Sequence, residues 1–122
     1  MTDYMILFPA DREDDWDLAT VAERQEVYAT DEEFVRLLGE RGGRVTGGAE
    51  LASASRAHVL RRSAGGGAVV TDGPFAESVE QLSGFYLVST DDEAGLLEAA
   101  QVLVRSHPAV EVRPVVGSED DS

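Results

Sequence analysis

Hydrophobic and polar positions along this chain group into blocks whose spacing predicts the elements they form. Tyr4 to Phe8, "YMILF", is a compact apolar run rich in strand formers and halted by Pro9, so it reads as an opening strand. From Thr20 the period becomes helical. Thr20 and Glu23 have capping-box spacing, Val27, Tyr28, Phe34, Val35 and Leu38 fall on one face, and Gly42 and Gly43 supply a stop. Thr30 and Glu33 repeat the capping pattern inside this span, so the expectation is one helix from Thr20 to Arg41 with Thr30 as the point where it could kink. Four strand-like pieces follow: "RVTGGAEL", "AHVLRR", "AVVT" and "GFYLVS". The flexible "SAGGG" loop between the second and third closes a hairpin and sets them antiparallel. Asp91 is the expected cap of a second helix, with Ala94, Leu97, Ala100, Leu103 and Val104 as its apolar stripe and His107-Pro108 as its end. "VEVRPVV" is the last strand, and "GSEDDS" reads as a frayed acidic tail, giving one domain over residues 1–116 and a tail over 117–122.

Strand, helix, several strands, helix, strand is the order of an α+β sandwich with its helices on one side of a mainly antiparallel sheet. The strands are apolar on both faces: Phe85 and Leu87 oppose Tyr86 and Val88, and Tyr4, Ile6 and Phe8 oppose Met5 and Leu7. Two helices cover one face only. Burial at roughly 25 cal/mol per Å² makes the sheet of a second copy the natural cover for the other, so a face-to-face homodimer is expected.

Composition narrows the function classes. A chain of 122 residues with 43% apolar and 28% charged residues is a folded single domain. The net charge of -14 repels phosphate backbones, so nucleic-acid binding is not expected. With no cysteine there is no disulfide framework and no thiolate chemistry. No apolar run approaches a membrane span or a signal-peptide core, and the expected location is the cytoplasm. The acidic stretch "ADREDDWDLA" fails as a calcium loop: counted from Asp11, the required glycine falls on Trp16 and the closing glutamate on Ala22, so Trp16 is expected to pack on the body. The glycines after Arg62 are not a phosphate loop, because no Gly-Lys-Ser/Thr follows. No cofactor and no metal are expected.

The segment with the most pronounced chemistry is "VVTDGPFAES". Asp72 can turn its carboxylate onto neighbouring amides, Gly73 can take a positive φ, and Pro74 fixes the exit, so the chain leaves the sheet here with Phe75 as an apolar anchor. "TDGPFAES" with Glu80, "GFYLV" and "VEVRP", together with Gly48, Leu51, Ala57, Val59, Arg61, Ala94 and Pro108, resembles the DGPF branch of the YCII-related proteins along nearly the whole chain. The resemblance implies a ferredoxin-like α+β subunit that pairs through its sheet into a dimeric α/β barrel. It carries no settled reaction. Some relatives lie beside or are fused to extracytoplasmic-function sigma factors, and the wider group has been proposed to act through a His/Asp pair whose histidine sits in the first helix. That helix contains no histidine here.

The candidate residues follow from both readings. Asp72 is a general acid or base if its apolar anchor desolvates it, and a turn acceptor otherwise. Glu77 bridges Arg61 or Arg113, or else serves as a second acid, the bridge being favoured because an unpaired buried carboxylate is costly, and Tyr86 is the better-placed aromatic for a pocket because a buried hydroxyl needs a partner. His107, at a helix end, reads as a capping imidazolium, and His58 opens a strand. The expected function is a dimeric small-molecule-binding module with its pocket near Asp72, lined by Asp72, Gly73, Pro74, Phe75, Glu77, Arg61 and Tyr86. The alternatives are an isomerase- or lyase-like enzyme using Asp72 and a regulatory partner of a sigma factor.

Overall fold

A computed structural model describes residues 1–10, 20–52, 54–73 and 81–118. The expectations for Trp16, Pro74, Phe75, Glu77 and the last four residues fall outside the described residues. The elements in chain order are β1 (Thr2–Ala10), α1 (Val21–Glu40), β2 (Arg44–Glu50), β3 (His58–Arg62), β4 (Ala68–Asp72), β5 (Gln81–Thr90), α2 (Glu93–Ala100) and β6 (Glu111–Pro114).

Four strands form one sheet in the order β2-β5-β1-β6, every neighbouring pair antiparallel. The chain is α+β, as the element order predicts. The central pair runs from Thr2 opposite Thr90 to Ala10 opposite Gln81. Pro9 does not end the strand. It has no N–H to give the ladder, and the register slips between Phe8 and Pro9 so that β1 continues past it. The sheet is open, with β2 and β6 as edges, and one chain does not close a barrel.

Thr20 caps α1 as its spacing predicts: its hydroxyl accepts from the Glu23 N–H at 3.1 Å and donates to the Glu23 carboxylate at 3.1 Å. The helix is continuous through Thr30. The buried hydroxyl there donates to the Val27 carbonyl at 2.9 Å and shares a 2.8 Å hydrogen bond with the Ser106 hydroxyl, and so serves to join α1 to the chain beyond α2. The cap of α2 is Asp92, which accepts from the Gly95 N–H at 2.9 Å, while Asp91 pairs with the amino terminus at 3.4 Å. That one-residue shift, with tightening into a 3-10 turn over Gln101–Arg105, rotates the buried stripe onto Leu96, Ala99, Ala100, Val102 and Leu103. Leu97 and Val104, expected in the core, face outward.

The core lies between the helices and one face of the sheet, with Tyr4, Ile6, Phe8 and Val88 from the strands against Phe34, Leu38, Leu96 and Leu103. Met5, Leu7, Phe85 and Leu87 lie half-buried on the other face, as Met5–Leu87 and Leu7–Phe85 cross-strand pairs. Gly47 and Ala49 on β2 are their small neighbours, so the larger side chains stand proud of that edge. The hairpin of β3 and β4 is a separate two-stranded sheet in which Val59 is buried and Leu60, Val69 and Val70 are exposed. Gly117 and Ser118, read as the start of a frayed tail, instead form a turn held to β1, with the Asp3 N–H donating to the Ser118 hydroxyl at 3.0 Å. No helix among the described residues is long and apolar enough to cross a membrane.

Candidate functional site

Tyr28, Asp31, Glu32 and Val35 recur at the i, i+3, i+4, i+7 spacing of one helix face, and α1 lays that face over Tyr86 of β5 and Glu50 of β2. These six residues line an open hollow of about 460 Å³. Tyr28 and Val35, assigned by periodicity to the core, stand at its mouth, and both are exposed.

Tyr86 is the best-fixed of the six. Its ring meets Phe8 edge-on at 5.4 Å and lies nearly parallel to Phe34 at 6.2 Å. Its cross-strand partner is Gly48, whose φ of +148° is one that side-chain-bearing residues rarely adopt. A Cβ there would lie 2.7 Å from Tyr86 Cδ1 and 2.5 Å from the Phe85 carbonyl oxygen, so the glycine makes room for the ring. The Tyr86 hydroxyl hydrogen-bonds to the Asp31 carboxyl, which satisfies the partner requirement foreseen for it. Burial raises the Asp31 pKa above its usual 3.8, and the Tyr86 hydrogen bond offsets this in part. Burial also pushes the Tyr86 hydroxyl well above its usual range, helped by its hydrogen bond to Asp31 and by the negative charges of Asp31 and Glu50.

His107 approaches the same carboxyl from behind. Its ring lies on Phe8 at 4.4 Å, and Nε2 stands 4.0 Å from Asp31 Oδ1. Both atoms are buried and neither has a hydrogen-bond partner among the described residues. At that separation the charged forms would attract, but burial lowers the His107 pKa and raises that of Asp31, so the protein environment drives both toward their neutral forms. Against the imidazolium cap expected for His107, burial lowers its pKa, and its backbone N–H donates to the Leu103 carbonyl at 3.0 Å as an ordinary turn. A carboxyl, a phenol and an imidazole thus meet at one wall, where protons can be held or passed.

The turn residues lie elsewhere. Asp72 ends β4 opposite His58, and its Oδ1 is 3.0 Å from His58 Nδ1, with the two side chains 90% and 65% exposed. The Gly73 N–H donates to the Ala57 carbonyl at 2.7 Å with φ at +100°, the turn chemistry its sequence announces. Arg61 is on β3 in the same hairpin. Of the expected pocket residues, the hollow contains Tyr86; Asp72, Gly73 and Arg61 are not among its lining, and Pro74, Phe75 and Glu77 lie outside the described residues. Asp31, Glu32 and Glu50 escaped sequence reasoning, and His107 was read there only as a helix cap. The available signal was the continuation of an apolar stripe, Tyr28 to Val35, across the two adjacent carboxylates Asp31 and Glu32. Among the described residues no group of three or more histidine or acidic side chains is placed to hold a metal ion.

The YCII-related domain family matches residues 3–116. An uncharacterised protein of Rhizobium meliloti (strain 1021) is 43% identical over 70 residues, 55% of this chain and 56% of the relative. The chain thus spans about half the length of the curated relative it matches.

Proposed function

This chain belongs to the YCII-related family, and we propose that it is a homodimeric small-molecule-binding protein, ferredoxin-like in each subunit, whose ligand enters the hollow between α1 and the sheet. The pocket is thereby moved from Asp72 to Tyr86 and Asp31. One observation carries the reading: the hollow ends on a phenol and a carboxyl hydrogen-bonded to each other, held by Gly48 and Phe8, with His107 behind them. A concave site with apolar walls and a few fixed polar groups of shifted pKa is the usual form of a ligand site. The dimer rests on Met5, Leu7, Phe85 and Leu87, which a second sheet would cover. A thermal-shift screen against a broad metabolite library tests the pocket: stabilisation that Tyr86→Leu abolishes is expected, and a library without such a compound overturns it. Light scattering tests the dimer, with twice the single-chain mass expected for the native protein and the single-chain mass for Leu87→Glu. A native protein of single-chain mass would end the dimer reading.

The 3.0 Å contact of His58 with Asp72 favours a second reading, an enzyme in which Asp72 orients His58 and the imidazole, through Nε2, handles the proton. Equal loss of an activity in His58→Gln and Asp72→Asn supports it, and full activity in both removes it.

A further inference from the structure

We propose that the ligand of the hollow is an organic cation, an ammonium group carried on a small apolar body. The inference rests on the pocket reading above and names its ligand class. The six lining residues comprise three carboxylic acids, Asp31, Glu32 and Glu50, two phenols, Tyr28 and Tyr86, and Val35. None of the six carries a positive charge, so an anionic head group would find no partner in the lining, and a neutral ligand would desolvate three acids without compensation. A ring of acids alone would be a solvated surface. Here two aromatic rings wall the same space, and a cation over an aromatic face beside carboxylates gains from both. The acids are spread around the hollow and do not form a coordination set, which suits a diffuse organic cation better than a compact metal ion. The volume of about 460 Å³ is within the range of small-ligand sites and accommodates an aryl or alkyl body behind the charged head.

Three probes with the same body and different heads test the class by calorimetry on the native protein: phenethylamine, 2-phenylethanol and 3-phenylpropionate. The amine is expected to bind roughly 10-fold more tightly than the alcohol, and the carboxylate not at all. Tyr28→Leu and the double variant Glu32→Gln/Glu50→Gln, which alter mostly exposed side chains and leave the core intact, should each weaken the amine by about 5-fold or more. Equal or tighter binding of the alcohol or the carboxylate overturns the proposal, as does failure of the amine to bind. If either competing head binds and Tyr86→Leu abolishes it, the pocket stands and only the ligand class falls. If no probe binds and no library compound stabilises the protein through Tyr86, both fall.

Discussion

Two contacts between a histidine and an aspartate occur among the described residues, in regions built on opposite terms. On the hairpin, His58 and Asp72 face each other across a single ladder rung at 3.0 Å, with both side chains mostly in water. Beneath α1, His107 and Asp31 stand 4.0 Å apart with about a fifth of each side chain exposed. The shorter contact has the better hydrogen-bond geometry, but at the longer one water has been removed from both groups, which raises the Asp31 pKa and lowers that of His107. Proximity alone does not mark a working site. Burial against fixed neighbours does, and those neighbours are Phe8, Phe34, Tyr86 and Gly48.

The comparison can be broken most forcefully at its glycines. Gly48→Ala forces a Cβ into the Phe85 carbonyl and the Tyr86 ring at an unfavourable φ, and it should lower stability by about 3 kcal/mol in urea denaturation. Gly66→Ala, in the hairpin loop with φ at +92° but nothing within 4 Å, should lose only about 1 kcal/mol. Equal losses would show that Tyr86 is not held as described. Tyr86→Phe, which takes from Asp31 its hydroxyl partner, should lose about 1–2 kcal/mol, whereas Asp72→Asn should stay within ~0.5 kcal/mol because its carboxylate is largely in water.

The smallest effect is in pH. The folded-state pKa of His107 lies below 6.5, so the proton favours the unfolded chain: its contribution is complete above 6.5 and is lost as the pH falls toward the folded value. Asp31, raised above 3.8, acts in the other sense, contributing most below 3.8 and less as the pH rises through its folded value. His107→Gln should therefore flatten the loss of melting temperature on acidification below 6.5. An unaltered slope in His107→Gln would mean that the imidazole is not desolvated in solution.

Much of the scaffold was legible. The period of α1, its Thr20 cap, the hairpin strands and the two-sided β1 and β5 all follow from local spacing, which local backbone geometry obeys. The α2 stripe was misplaced because Asp91 and Asp92 are equivalent as caps in sequence, and only packing chooses between them. Tyr86 could be foreseen, since a phenol among apolar neighbours demands a partner. Asp31 could not: within a helix as acidic as α1 it looks like one more solvated carboxylate, and its burial depends on β5 and on the 3-10 turn over Gln101–Arg105, contacts distant in sequence that local spacing does not encode. His107, beside Pro108, resembles a cap until that turn swings it onto Phe8.

The hydrogen bond between Thr30 and Ser106 has a consequence at the next residue of each chain segment. Asp31 follows the first and His107 the second, so a 2.8 Å clasp between two hydroxyls acts as a ruler for the acid and the imidazole. A visitor to the hollow meets a pair whose spacing was decided one step upstream, by groups it never touches.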